Sequence, residues 1–217
     1  MNKITNAVKD YLEIYLALEG YKSKPLYAAV DKYDRWFVTE MPTIAFKMLQ
    51  FKGDSLSVKT PPEDVIKLCE MISQKAKETI QPSLIDWVYD NFDDFYKDGI
   101  KLANINLSLT KCKDRAKLDD EDKAMIESMC VQEINVWKSH FPKMTRQLER
   151  ELWGAIYTGK TFDFFMARMT APDLHIVGFP YGSSRYSWYE HIKRFVVGRP
   201  KMVASMAQQR KVLQCLP

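Results

Sequence analysis

The sequence predicts a mainly α fold (α+β minor): a multi-helix globular unit with one small β-hairpin element in its N-terminal quarter. Three observations carry that expectation. Apolar residues recur every three or four positions through most of the chain. The breaks between these runs fall at capping residues, Gly or Pro. Only the interval from residue 33 to residue 58 is instead rich in strand formers.

The first helix is expected over 3–19, where Ile4, Val8, Leu12, Tyr15 and Leu18 keep the helical interval and Gly20 supplies a stop. In the strand-rich interval, Arg35-Trp36-Phe37-Val38-Thr39 and the partly alternating run from Ile44 to Phe51 read as extended. Lys52-Gly53-Asp54 can turn, and Leu56-Ser57-Val58 can return as the second strand. Thr60-Pro61-Pro62-Glu63 then reads as a capping box with Pro at the first helical position, opening a helix that buries Val65, Cys69, Ile72 and Ala76. Pro82 is expected to end it, and Ser83 to open another with Leu84, Val88, Phe92 and Phe95 on one face and Gly99 as its stop. Residues 100–110 read either way, because Ile105, Leu107 and Leu109 alternate.

Asp119 or Asp120 caps a long helix carrying Ile126, Met129, Ile134, Trp137 and Phe141, with acids in its first turn. Pro142 is expected to break it. A helix through Leu148, Leu152 and Ile156 stops at Gly159, and a short apolar helix follows over 162–169. Leu174 to Val177 reads as extended and Phe179 to Ser184 as a turn-rich loop. Ser183 or Ser184 would cap a helix holding Trp188, Ile192, Phe195 and Val196, stopped at Gly198. Pro200 opens the last helix, with Met202, Met206 and Leu213 on its buried side. The expected organisation is an N-terminal α+β part over 1–110, mildly acidic, a charged connection over 111–122, and a helical C-terminal part over 123–217.

The 217 residues, 46% of them hydrophobic, are enough for a real core. The beginning of the chain lacks the basic stretch and apolar run of a secretory signal, and no uncharged apolar run reaches the length of a membrane helix. Cys69, Cys112, Cys130 and Cys215 lie far apart with no CxxC, which reads as reduced thiols in a soluble, intracellular protein. His140, His175 and His191 are scattered, so no local zinc site is read.

Charge is the most informative feature. The total is +4, yet residues 143–217 hold 12 Lys/Arg against 5 Asp/Glu, leaving a net −3 for 1–142. Towards the C-terminus Arg185, Lys193, Arg194, Arg199, Lys201, Arg210 and Lys211 are interleaved with aromatics, of which Tyr181 and Tyr186 fall outside the apolar stripe. Clustered cations release counterions when they neutralise phosphates, and aromatic faces stack on unpaired bases. These nine residues form the expected binding site for RNA or single-stranded DNA, in a nucleoprotein or a replication accessory factor. The competing reading places Trp188 and Phe195 in the core and the cations on a solvated face.

Three other patterns bear on catalysis. Asp93, Asp94 and Asp98 form DDxxxD, with two carboxylates one helical turn apart. This resembles the cluster with which prenyl-diphosphate enzymes hold magnesium and pyrophosphate. No second acidic motif accompanies it, so a solvated acidic face is the simpler reading. Pro172-Asp173 followed by Glu190-His191-Ile192-Lys193 approximates a metal-nuclease pattern, with one residue too many between acid and lysine and with His140, Glu149 or Glu151 available upstream. Gly154 to Thr161 matches the phosphate loop G-x-x-x-x-G-K-[ST] letter for letter, but an amphipathic helix precedes it where a buried strand belongs. The expectation is therefore a helix stop at Gly159. No cofactor, resident metal or catalytic residue is assigned. The expected partner is nucleic acid, with self-assembly or a protein partner as a second possibility and no membrane. The alternatives to nucleic-acid binding are a non-catalytic interaction or assembly subunit and, behind it, a metal-dependent nuclease or a P-loop-like nucleotide-binding enzyme.

Overall fold

The computed structural model describes residues 3–21, 23–110, 112, 115–170, 180–181, 184–185 and 188–215; for 3, 168, 170, 180–181, 184–185 and 188–191 the description is of backbone alone. In chain order the elements are α1 (Lys3–Glu19), α2 (Lys24–Thr39), α3 (Met41–Met48), β1 (Phe51–Lys52), β2 (Ser55–Leu56), α4 (Pro62–Ser108), α5 (Asp120–Tyr157), α6 (Phe162–Thr170), β3 (Pro180–Tyr181), β4 (Ser184–Arg185) and α7 (Trp188–Gln214). The fold is mainly α, with a two-stranded antiparallel hairpin in the N-terminal quarter, as the periodicity and turn signals predict. A second short antiparallel pair joins β3 and β4. The extended piece expected at 174–177 lies outside the described residues.

The hairpin is shorter than expected. Phe51 pairs with Leu56 and Lys52 with Ser55, around Gly53 at φ +61°. A positive φ is the conformation an L side chain resists, so Lys52-Gly53-Asp54 turns where expected. The residues before it, 35–39 and 44–48, are helical instead. Leu26, Ala29, Val30, Tyr33, Trp36 and Phe37 are all buried, a strict three-and-four interval that only a helix satisfies. Within 35–39 the aromatics Trp36 and Phe37 are core residues of that helix, while Val38 and Thr39 are exposed. Thr60 also departs from its expected role: its hydroxyl accepts the Gln50 amide (2.9 Å) and so ties the end of the hairpin instead of capping α4.

Proline does not break the long helices. α4 runs 47 residues through Pro82, and α5 runs 38 through Pro142. Each proline removes one amide donor from the ladder. Glu78 and Pro82 are exposed, as are Lys138 and Pro142, so water can serve the carbonyls left without a helical donor. Gly198 and Pro200 likewise lie within α7, and residues 100–108 continue α4. Gly99 is no stop. A Cβ there would sit 2.2 Å from the Ala204 carbonyl oxygen and 2.7 Å from the Ala207 Cβ, so glycine permits close approach of α4 and α7.

The chain forms two compact units, and neither follows chain order. One comprises Met1–Ser23, Ile85–Ile134 and Lys193–Pro217, the other Lys24–Leu84 and Asn135–Ile192. Each therefore draws on segments from both sides of the 111–122 connection. The first unit buries Leu18, Phe92, Tyr96, Cys130, Val196 and Ala204; the second buries Tyr33, Met41, Leu68, Ile72, Leu148 and Phe165. No helix among the described residues is long and apolar enough to cross a membrane.

Candidate nucleic-acid interface

The basic C-terminal residues are drawn largely into the first unit's own ion pairs. Arg199 Nε lies 3.0 Å from Glu133 Oε2, and its guanidinium sits over the Phe195 ring. Lys201 Nζ lies 2.6 Å from Glu19 Oε1 and over the Tyr15 ring. Arg210 reaches Glu121 at 2.6 Å and Asp122 at 3.2 Å. Lys211, 3% exposed, lies 2.6 Å from Asp119 and 2.5 Å from Asp122, whose side chain is fully buried.

The acids of that cluster come from the start of α5. Asp119 Oδ1 accepts the Asp122 amide (2.8 Å) and Asp122 Oδ2 accepts the Asp119 amide (2.9 Å), a reciprocal cap of the kind expected there. The Tyr96 hydroxyl donates to Asp122 Oδ1 at 2.8 Å. The Lys211 hydrogen bond holds the Asp119 carboxyl at about 2. Burial pulls the Lys211 ammonium down, but Asp119 and Asp122 outweigh it and leave its pKa raised. Lys193 and Arg194 are exposed on α7. Arg185 and Tyr181 lie on β4 and β3, where only backbone is described, and Tyr186 lies outside the described residues.

The second unit carries a basic surface that the charge map along the chain does not reveal. The first turns of α4 and the middle of α5 border an open groove of about 1370 Å³. Lys67, Lys77, Lys138 and Arg146 line it, with Glu70 the one acid among its walls. All four cations are exposed, and none is ion-paired within the described residues. At the same wall Gln81 Oε1 is buried and accepts no hydrogen bond. Ser73, also lining the groove, is spent on structure: its hydroxyl donates to the Phe141 carbonyl at 2.8 Å. The signal for this surface was present as polar residues at 67, 70, 74, 77 and 81, alternating three- and four-residue steps that align them on one helix face. That Lys138 and Arg146 join them depends on tertiary packing.

The patterns with catalytic overtones are placed as follows. The α5 terminus at Gly154–Thr161 is a Schellman stop: the Lys160 amide donates to the Ala155 carbonyl (2.9 Å), the Gly159 amide to the Ile156 carbonyl (3.1 Å), and Gly159 has φ +61°. The Lys160 carbonyl then accepts the Leu56 amide, and Thr161 bridges to Ser55. Thr161 Oγ1 caps α6 by accepting the Phe164 amide at 3.1 Å. The segment thus ends one helix, touches the hairpin and starts another, as the expected stop at Gly159 implies. On α4, Lys97 ion-pairs with Asp93 and Asp94 and Lys101 with Asp98 at 2.6 Å, so DDxxxD is a partly neutralised surface face. His140 is buried, and burial, helped by Lys143, lowers its pKa to about 4. Pro172 and Asp173 lie outside the described residues. Among the described residues no group of three or more His, Cys, Asp or Glu is placed to hold a metal ion. All four cysteines are thiols, and burial raises those of Cys69 and Cys130, the latter to about 11.

Compared with family models, curated proteins and solved structures, the chain matches none.

Proposed function

We propose that this protein binds single-stranded nucleic acid without catalysis, and that the groove of the second unit is its principal contact. One observation supports this above others: four exposed cations, none of them ion-paired among the described residues, converge on one groove. A phosphate chain supplies the anions. The only aromatic in the groove wall, Phe141, is buried, so it offers no stacking face and binding is mainly electrostatic and tolerant of sequence. Lys193, Arg194, Arg185, Tyr181 and Tyr186 stay in this reading as secondary contacts. Arg199, Lys201, Arg210 and Lys211 serve the fold.

Fluorescence anisotropy with labelled single-stranded RNA, single-stranded DNA and duplex at low salt tests the proposal. Both single strands should bind, and substitution of Lys67, Lys77, Lys138 and Arg146 by Gln together should abolish binding. Absence of binding by the natural chain at low salt would refute it. An assembly subunit is the second reading, favoured by the exposed apolar row of α1.

A further inference from the structure

α1 leaves a row of apolar side chains half-exposed. Ile4, Val8, Leu12 and Leu16 are 50–59% exposed, and Tyr15 is 39% exposed beside them. They occupy one side of the helix, while Ala7 and Leu18 anchor the adjacent side in the first unit. Four-residue spacing makes Ile4, Val8, Leu12 and Leu16 a continuous ridge, the kind that packs into the grooves of another helix. Contiguous apolar surface of this sort marks an interaction site more often than a solvated face.

We propose that the ridge is a self-association surface on which α1 of a second copy packs antiparallel. The spacing is symmetric about position 10: Val8 and Leu12 lie two residues from it on either side, Ile4 and Leu16 six. A two-fold axis through that point sets Val8 on Leu12 of the second copy and Ile4 on its Leu16, so each copy presents the same patch that it receives. The flanking charges obey nearly the same symmetry. Lys9 and Glu13 border the ridge, exposed and 3.7 Å apart in the same helix. In the antiparallel pair Lys9 faces Glu13 of the second copy, and Glu13 faces its Lys9. Glu19, at the end of the ridge, is already engaged by Lys201. The helix carries Lys3 and Lys9 against Asp10, Glu13 and Glu19, so its net negative charge disfavours an anionic lipid surface or a nucleic-acid strand as the occupant. Any evenly spaced ridge is symmetric about its midpoint, so it is the reciprocal Lys9 and Glu13 pairing that favours a second copy over an unrelated helix. The inference concerns the first unit alone and stands apart from the groove of the second.

Sedimentation velocity across a wide range of protein concentration is the test, on the full chain, with circular dichroism confirming that each variant keeps its helix content. The natural chain should shift from monomer to dimer mass as concentration rises. Leu12→Lys, or Val8→Lys as an independent second variant, should hold it monomeric. Lys9→Glu and Glu13→Lys alone each place like charges across the axis and should weaken the dimer about threefold to tenfold. The double variant K9E/E13K should restore it. A chain that is monomeric throughout, a dimer indifferent to both ridge variants, or a double variant no tighter than the singles overturns the proposal.

Discussion

Salt dependence offers the sharpest test of the groove, because its magnitude follows from how many cations it holds. Four cations line it, two from each wall. Each phosphate neutralised on a single strand contributes about 0.7 to the slope of log K against log salt, so full engagement gives a slope of about −2.8. Raising salt fourfold then costs about 50-fold in affinity. Lys138→Gln with Arg146→Gln removes the α5 wall's charge and should halve the slope, leaving about a sevenfold loss over the same range. Lys32→Gln with Lys47→Gln is the matched control: the same change in net charge, in the same unit, at exposed positions outside the groove. Anisotropy titrations of a short labelled strand at several salt concentrations measure all three slopes. If the groove pair and the control pair flatten the slope equally, binding is a diffuse effect of net charge and the groove has no special part in it.

The remaining predictions concern the scaffold. Lys211→Met strands the fully buried Asp122 carboxylate beside one remaining cation, and equilibrium urea unfolding should register about 3–5 kcal/mol of lost stability; a loss under 1 kcal/mol would mean that the pair is solvated. Gly99→Ala normally favours a helix by about 1 kcal/mol. Here the added methyl meets the Ala204 backbone, so the sign should reverse to a loss of about 1–3 kcal/mol, and a stabilised variant would disprove the close helix approach. His140 takes its proton near 6.5 when unfolded and near 4 when folded, so between those values the unfolded state binds more protons. His140's own contribution should therefore fall by about 3 kcal/mol as pH drops from 6.5 to 4, read as the difference between the natural chain and His140→Phe, because Asp34, raised to about 6 by burial, titrates in the same window with the opposite sign. Thr161→Val should cost about 1 kcal/mol by removing the α6 cap, while magnesium and ATP leave the melting temperature of the natural chain unchanged; a thermal shift with ATP would revive the phosphate-loop reading.

What was legible in the sequence divides by range. Local signals carried far: the Asp119–Asp122 cap, the Gly53 turn and the Gly159 stop each depend on a few neighbouring residues, and each appears where the pattern places it. Errors came from windows too short to show a period. Four strand formers at 36–39 look extended by themselves, but Trp36 and Phe37 complete a helical stripe that begins at Leu26. Proline reads as a local breaker, whereas Ile80 and Leu84 on either side of Pro82 are buried, and packing of that face outweighs one missing hydrogen bond.

The charge map along the chain is incomplete for a different reason. It sums along the chain, while a binding partner meets charge in space. Lys211 finds Asp119 across 92 residues of sequence and Arg210 finds Asp122 across 88, so much of the C-terminal excess faces the acids that gave the earlier segments their negative balance. The two halves of the asymmetry are in part the two sides of one set of ion pairs. Lys67 and Lys77, by contrast, lie in the stretch that the map marks as acidic, yet no carboxylate among the described residues pairs with them, and α5 brings Lys138 and Arg146 to the same groove. For an electrostatic ligand the relevant quantity is unneutralised cation density at one surface, because a cation already paired must break that pair before it can displace a counterion from phosphate. By that measure the groove of the second unit outranks the more basic C-terminal segment as a surface for a phosphate chain.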